Sequence, residues 1–213
     1  MKYDTLIFDL DGTLLNTIDD LTDSLNYALA KNNLNTYASD EVKYFVGSGV
    51  KVMVERALKE NIDRFDEVFP DFMAHYKNNS SNKTGLYEGV YETICELSKL
   101  GIKMAIVSNK FQQGVEDICK PLLGEYISVM VGEQPGLNKK PSSDMVYLAM
   151  KELGVGFEKT AYVGDSDIDV LTAKNSKLNF IGCAYGFRGR KFLEENSNGI
   201  IIDSFKEILD IIK

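Results

Sequence analysis

Two aspartates stand one residue apart in the segment IFDLDGT, at residues 7–13, directly after an apolar run. A carboxylate can accept a phosphoryl group and form an aspartyl-phosphate. A second carboxylate two residues further on can protonate the leaving oxygen and later deprotonate a water molecule. Asp9 and Asp11 therefore predict phosphoryl-transfer chemistry in which one attacks and the other is the acid and base. The single histidine, His75, lies in a different part of the chain, so histidine chemistry is disfavoured.

Other polar residues that could take part follow apolar segments further along the chain. They are Ser108, Asn109, Lys140, Asp165 and Asp169. Ligands bind at the carboxyl ends of the strands in open parallel sheets, so we expect these side chains to share one edge. Clustered carboxylates repel one another, and a hard divalent cation such as Mg²⁺, which takes oxygen ligands and works with phosphate, offsets that repulsion. The lysine and the hydroxyl can stabilise a transferring phosphoryl group.

Hydrophobic patterning predicts the elements that hold these residues. The segment DTLIFDL is a short apolar run that ends in a charged loop, as in a buried parallel strand. From residue 89 onward, apolar runs alternate with helical periods, which is typical of a parallel sheet with helices on both faces. The sequence therefore predicts an α/β fold with a doubly wound parallel sheet.

A helical block of roughly 70 residues, far longer than an ordinary connection, separates the first strand from the others. Residues 17–31 and 39–78 have helical periodicity, and Pro70 is expected to start or kink a helix. We therefore predict a core domain of residues 1–15 and 85–213, with a helical cap of residues 16–84 inserted after the first strand.

Four motifs in order, FDLDGT, VSN, KKP and GDSDID, resemble those of the haloacid dehalogenase-like superfamily of phosphatases. Within it, the chain is similar to the subgroup with a helical cap after the first strand. The segment FVGSGVKVMVERAL at 45–58 resembles the cap of the phosphoglycolate phosphatase group. The segment KPSSDMV departs from the pattern, because many relatives have a second proline there.

The resemblance implies a role for each matching residue. Asp9 would be the nucleophile, Asp11 the general acid and base, Ser108 the phosphate-binding hydroxyl and Lys140 the motif lysine. A Mg²⁺ cofactor is implied, with the backbone carbonyl of Asp11 among its contacts; the predicted metal residues are Asp9, Asp11, Asp165 and Asp169. The predicted substrate-binding residues are Thr13, Asn109, Gly47, Ser48 and Gly49.

Composition narrows the possible partners. A net charge of −8 disfavours a nucleic-acid partner, and no apolar stretch approaches the roughly 18 residues of a membrane span. The N-terminus does not resemble a signal peptide. Three cysteines without a CxxC motif indicate reduced thiols and a cytoplasmic location. We expect a monomer or a homodimer.

The expected function is a Mg²⁺-dependent phosphomonoester hydrolase of a small phosphorylated metabolite, acting through an aspartyl-phosphate and most similar to phosphoglycolate phosphatase. The alternatives within the superfamily are an inorganic pyrophosphatase, a 5′-nucleotidase and a phosphosugar mutase. A non-catalytic phospho-receiver is more remote, because receivers lack a helical insertion of this size. The roles of Asp167, Lys51, Arg56 and His75 stay open, since each could simply be solvated.

Overall fold

The computed structural model describes residues 1–213, which form two compact units. The first unit comprises Met1–Leu14 and Leu86–Lys213, and the second comprises Leu15–Gly85. The second unit is thus an insertion into the first. None of the helices has the length and apolar character that a membrane span requires.

The first unit is built on a six-stranded parallel sheet with the strand order β5-β4-β1-β6-β7-β8. The strands are β1 Thr5–Phe8, β4 Lys103–Phe111, β5 Val129–Glu133, β6 Thr160–Gly164, β7 Asn179–Cys183 and β8 Ile200–Ile202. The chain winds outward from β1 through β4 to β5, then returns to β6 and winds the other way. This is the predicted doubly wound parallel sheet, and that prediction is confirmed.

Helices connect the strands of this sheet. They are α5 Val90–Lys99, α6 Gln112–Leu123, α7 Asp144–Leu153, α8 Asp167–Asn175, α9 Gly189–Asn196 and α10 Ile208–Ile211. All four residues of β1 are buried, because helices cover the sheet on both sides. Burial of a side chain such as Phe8, which packs against Phe205 with ring centroids 5.6 Å apart, contributes about 1.5–3 kcal/mol. The packed sheet therefore fixes the positions of the polar residues at the ends of these strands.

Strand β4 is irregular at its carboxyl end. Its pairing with β5 runs regularly to Val107, and the register has shifted where pairing resumes at Phe111. The three residues between them, Ser108, Asn109 and Lys110, form a bulge. Bulges re-aim side chains and are frequent beside active sites. The bulge brings three consecutive polar side chains to the edge where β1 ends.

The second unit is mainly helical. Its elements are α1 Ile18–Lys31, α2 Ser39–Val42, α3 Val50–Leu58, a 3₁₀ helix at Lys59–Arg64 and α4 Phe65–Asn79. Helices α1 and α4 pack together, and Nζ of Lys31 in α1 forms an ion pair of 2.6 Å with Oδ1 of Asp71 in α4. Pro70 was predicted to start or kink a helix. The prediction of a start is wrong, because α4 begins at Phe65 and includes Pro70. Val68 and Phe72, on either side of the proline, are both buried. Their packing stabilises the helix and offsets the backbone hydrogen bond that the proline cannot donate.

The two ends of the second unit are tied to each other. Strand β2, Leu15–Asn16, pairs with β3, Gly85–Leu86, in a two-stranded sheet. Close by in sequence, the buried carboxylate of Asp20 accepts hydrogen bonds from the backbone N–H groups of Lys83 and Thr84 and from the Thr84 hydroxyl. The entry and exit of the helical insertion are therefore held side by side.

Candidate active site

Three carboxylates meet at the carboxyl ends of the sheet strands. Asp9 follows β1, Asp165 follows β6, and Asp169 lies in the first turn of α8. All three are buried, and one oxygen from each lies within 4.8 Å of the others. The sequence predicted that these residues share an edge, and the structure brings them together there.

The ammonium group of Lys140 joins two of these carboxylates. Its Nζ lies 2.7 Å from Oδ1 of Asp9 and 2.9 Å from Oδ1 of Asp169, and it also donates to the Tyr162 hydroxyl at 2.9 Å. Burial lowers the pKa of Lys140, but Asp169 and Asp9 outweigh that effect and raise it well above its usual value. Lys140 is therefore a permanent cation with three assigned donors.

Asn109 holds Lys140 in place. Its side chain accepts a hydrogen bond from the Lys140 backbone N–H at 2.9 Å and donates to the Lys140 carbonyl at 3.0 Å. Such a pair of bonds fixes the backbone rather than a ligand. Asn109 was predicted as a substrate-binding residue, and the structure gives its amide a positioning role; contact with substrate stays a prediction.

Both oxygens of Asp169 are fully engaged. Oδ1 accepts from Lys140 and from the Tyr162 hydroxyl, and Oδ2 accepts from the hydroxyl and backbone N–H of Ser166 and the backbone N–H of Asp165. Burial raises the pKa of Asp169, but Lys140 and Ser166 outweigh burial and lower it. Asp169 is thus an ionised carboxylate that positions its neighbours, which suits a supporting acid better than a direct metal ligand.

Asp165 is anchored from two other elements. Its Oδ1 accepts a hydrogen bond from the Thr13 hydroxyl at 2.9 Å, and its Oδ2 accepts from the backbone N–H of Phe187 at 2.7 Å. A Cβ at Gly12, where φ is +93°, would lie only 2.5 Å from this Oδ2, so only glycine fits. Thr13 therefore orients Asp165, and its contact with substrate stays a prediction.

The buried carboxylates carry more negative charge than their surroundings neutralise. Burial, and then repulsion from Asp169, raise the pKa of Asp9 well above its usual value despite Lys140. The same two causes raise the pKa of Asp165 to about 7. One ammonium faces three carboxylates, so a divalent cation with oxygen ligands fits the charge and the donor set. Asp9 and Asp165 are the carboxylates best placed to hold it.

Asp11 lies apart from this cluster. Its carboxylate does not belong to the group of three that could hold a metal. The contact of its backbone carbonyl with the metal stays a prediction. Its Oδ1 lies 3.2 Å from Nζ of Lys110 but accepts no hydrogen bond. Asp11 thus has an ionic neighbour and unused acceptor capacity, which suits a group that exchanges protons with a substrate.

Lys110 was not identified from the sequence. Lys110 directly follows the VSN motif, and a lysine inside an apolar strand is the signal that could have drawn attention to it. The buried guanidinium of Arg188 donates to Oδ1 of Asp167 at 2.8 Å. Asp167 therefore serves as an ion-pair partner.

The loop residues Gly47, Ser48 and Gly49 lie in the second unit, directly before α3. The two glycines have φ angles of 116° and 89°, and the Ser48 hydroxyl accepts a hydrogen bond from Arg56 at 3.1 Å. Arg56 also donates to the Phe45 carbonyl. Arg56 thus braces this loop, whose contact with substrate stays a prediction. His75 is likewise engaged, with Nδ1 3.0 Å from the Ser24 hydroxyl.

Comparisons with known proteins agree with the motifs. The sequence model of the family described as haloacid dehalogenase-like hydrolase matches residues 6–183. A phosphoglycolate phosphatase of Colwellia psychrerythraea is 32% identical over 100% of this chain and 98% of its own length. One of Pectobacterium atrosepticum is 30% identical over 97% of this chain and 91% of its own.

Solved structures resemble the chain along its whole length. A protein from Lactobacillus delbrueckii subsp. bulgaricus, assigned as a phosphoglycolate phosphatase, superposes with a TM-score of 0.94 at 33% identity. It is matched over 99% of its length and covers 100% of this chain. A protein from Haemophilus somnus with the same assignment has a TM-score of 0.88 at 28% identity, with 100% of this chain and 99% of that one covered.

Proposed function

The chain belongs to the haloacid dehalogenase-like hydrolase family, and we propose that it is a Mg²⁺-dependent phosphatase of a small phosphorylated metabolite. The observation that carries this proposal is the placement of buried Asp9 at 2.7 Å from Lys140, with Asp11 two residues further on. The relatives named above are phosphoglycolate phosphatases, which makes 2-phosphoglycolate the first substrate to test.

In the first half-reaction, a carboxylate oxygen of Asp9 attacks phosphorus. The bond between phosphorus and the ester oxygen breaks, its electron pair stays on the ester oxygen, and Asp11 delivers a proton there. Lys140 keeps Asp9 oriented and offsets charge on the phosphoryl oxygens. The Ser108 hydroxyl, buried at the bulge of β4, is available to donate a hydrogen bond to one of those oxygens.

In the second half-reaction, water releases phosphate from Asp9. Asp11, now ionised, accepts a proton from water as the water oxygen bonds to phosphorus. The bond between phosphorus and the Asp9 oxygen breaks, and the electron pair returns to the carboxylate. Asp11 is thereby protonated again and the cycle closes. Its partial exposure, 17% of the side chain, suits a group that must meet both ester and water.

A bound Mg²⁺ would stabilise the charge that builds up on the phosphoryl oxygens. Asp9 and Asp165 would hold it together with the Asp11 backbone carbonyl, while Asp169 keeps Lys140 and the Asp165 turn in position. We extend the proposal to the domain organisation: residues 16–84 act as a cap that excludes bulk water and selects the substrate.

The test is phosphate release from a panel of phosphate compounds with and without Mg²⁺. The panel contains 2-phosphoglycolate, pyrophosphate, nucleoside monophosphates and hexose phosphates, so that the pyrophosphatase, nucleotidase and mutase alternatives each have a diagnostic substrate. Asp9→Asn should lower the rate by at least about 10³-fold, because it removes the nucleophile. Asp210→Asn, at a side chain that is 80% exposed, is the matched control.

The proposal fails if Asp9→Asn retains activity within a few fold of the wild-type protein. Conversion of a hexose phosphate to its isomer without free phosphate would favour the mutase. A phosphorylated Asp9 that persists without turnover of any substrate would favour the receiver.

A further inference from the structure

Residues 185–187, which follow β7, hold the buried carboxylate of Asp165 from two sides. The backbone N–H of Phe187 donates to its Oδ2 at 2.7 Å. The hydroxyl of Tyr185 donates to the carbonyl of Thr13 at 2.9 Å, and the hydroxyl of Thr13 donates to Oδ1 of Asp165 at 2.9 Å. These residues thus form a closed circuit of hydrogen bonds around one carboxylate. The mechanism above uses Asp165 but gives Tyr185 no task.

Gly186 brings the backbone of this segment into direct contact with the site. A Cβ added to Gly186 would overlap Cβ of Asp165 and would lie 2.5 Å from the carbonyl oxygen of Gly12. Only glycine allows so close an approach, because one of these neighbours is backbone that cannot turn aside. The positions of Tyr185 and Asp165 therefore depend on each other.

Tyr185 also contacts both chain segments at the boundary of the helical insertion. Its hydroxyl binds Thr13, which precedes Leu14, the last residue before the second unit. Its ring packs on Tyr87, two residues after that unit ends, with ring centroids 4.8 Å apart. The backbone N–H of Tyr87 in turn donates to the Leu14 carbonyl at 3.0 Å. Tyr185 thus lies between the carboxylate and the paired segments.

A carboxylate that holds a metal must be fixed in orientation. Residues that hydrogen-bond to a metal ligand set this orientation, and their loss typically lowers metal affinity by about 10- to 100-fold. Each oxygen of Asp165 accepts one hydrogen bond from the circuit and keeps a lone pair for a cation. The circuit therefore orients Asp165 without occupying its capacity to bind metal.

We propose that Tyr185 is a positioning residue for the metal site. Its hydroxyl fixes Thr13, and through Thr13 it orients the carboxylate of Asp165. Its ring links a metal bound by Asp165 to the paired segments at Leu14 and Tyr87. This role of Tyr185 rests on the Mg²⁺ binding that belongs to the function proposed above. Coupling of this kind is reciprocal, so Mg²⁺ should stabilise the paired segments as much as their pairing favours Mg²⁺.

The first measurement is a double-mutant cycle on Mg²⁺ affinity, which requires no substrate. Isothermal titration calorimetry gives the Kd of Mg²⁺ for the wild-type protein, Thr13→Val, Tyr185→Phe and the double variant. Tyr147→Phe, in α7, is the matched control. It also removes a phenol hydroxyl from a ring that packs on an aromatic neighbour, Phe157, with centroids 5.6 Å apart.

Thr13→Val should weaken Mg²⁺ binding by about 10- to 100-fold, because it removes a direct hydrogen bond to Asp165. Tyr185→Phe should weaken it by roughly 5-fold, the effect of one net hydrogen bond, and Tyr147→Phe should leave it unchanged. The double variant should bind Mg²⁺ as Thr13→Val does, since Tyr185 acts through Thr13. Losses that multiply in the double variant would overturn the proposal, because Tyr185 would then act independently of Thr13.

The second measurement is amide hydrogen exchange at Tyr87, followed by NMR with and without saturating Mg²⁺. In the wild-type protein, Mg²⁺ should slow this exchange by roughly 5-fold, whereas in Tyr185→Phe it should have little effect. The amide of Gly154, which donates to the Lys151 carbonyl at the end of α7, is the control for opening elsewhere in the chain. Equal slowing at Tyr87 in both proteins would overturn the link to the paired segments. This comparison needs only Tyr185→Phe, so it holds even if Thr13→Val does not fold.

The proposal and the function on which it rests fail in different ways. Mg²⁺ binding by the wild-type protein with the same Kd in Tyr185→Phe would overturn the role of Tyr185 alone. Absence of Mg²⁺ binding by the wild-type protein would contradict the metal dependence of the proposed phosphatase, and the role of Tyr185 with it.

Discussion

Asp9 and Asp11 are two residues apart in the chain, yet their surroundings differ sharply. Asp9 is buried beside Lys140, whose three donors are all assigned and whose backbone is fixed by Asn109. Asp11 is partly exposed, and its Oδ1 has Lys110 nearby but accepts no hydrogen bond. In the proposed mechanism, the protein thus preorganises the nucleophile Asp9, whereas the acid and base Asp11 gains its partners when the substrate binds.

The largest effect should come from removing the lysine on the nucleophile side. Lys140→Met leaves Asp9 and Asp169 buried without a counter-charge, so the free energy of unfolding should fall by about 3–5 kcal/mol. Phosphate release should fall by at least about 10³-fold. Urea unfolding and steady-state rates measure the two effects. Lys110→Met should cost less stability, because Asp11 can be solvated; equal stability losses would contradict the comparison.

An intermediate effect should appear in the pH dependence of stability. The pKa of Asp165 is about 7 in the folded protein and near 3.8 in the unfolded chain, so the folded state holds an extra proton between these values. Without metal, stability should therefore be greatest below about pH 4 for this group and fall by about 1.4 kcal/mol per pH unit until pH 7.

Mg²⁺ should reverse that loss, because it binds the ionised carboxylates and competes with protons. Thermal unfolding at pH 5.5 and pH 8, with and without Mg²⁺, is the measurement, and the metal should raise Tm more at pH 8. In Asp165→Asn, both the fall in stability and the Mg²⁺ effect should shrink. An equal Mg²⁺ effect at both pH values would mean that the metal binds outside this cluster.

The smallest effect concerns Thr13, which lies in the chain between Asp11 and the start of the second unit at Leu15. The Tyr185 hydroxyl donates to the Thr13 carbonyl at 2.9 Å, and its ring packs on Tyr87 with centroids 4.8 Å apart. Tyr185→Phe should lower the free energy of unfolding by about 1 kcal/mol, the usual contribution of one hydrogen bond. Tyr87→Phe keeps the Tyr185 bond and is the matched control. Identical Tm values for the two variants would show that the bond contributes nothing.

The sequence predicted the nucleophile side better than the acid and base side. The apolar run before Asp9 and the alternation of strands and helices after residue 89 are strong local patterns, and they place Asp9, Lys140 and Asp165 at one edge of a parallel sheet. Lys110 was missed because nothing local to SNKF indicates that β4 bulges and then resumes pairing at Phe111. Its approach to Asp11 depends on that long-range register.

The hydrogen-bond partners of the predicted site residues also could not be predicted from the spacing of the motifs. Thr13 and Asn109 lie in the predicted segments, but their side chains hold Asp165 and the Lys140 backbone. Motif spacing identifies which loop carries a polar residue, whereas the direction of its side chain depends on neighbours distant in the chain. Helix α9 was missed because GRKFLEEN is largely polar, and Leu193 is its buried residue.

The pairing of β2 with β3 has a consequence for how the chain can change. Together with the bonds of Asp20 to Lys83 and Thr84, it closes the entry and exit of the helical insertion locally. For the sheet, the insertion then acts as a short connection between β1 and α5, whatever its own length. Because the paired strands close the loop, the entropy of closure that β1 and α5 must overcome depends little on the length of the insertion. Insertions of different size and shape can therefore be exchanged at this point while the sheet and its carboxylates keep their geometry.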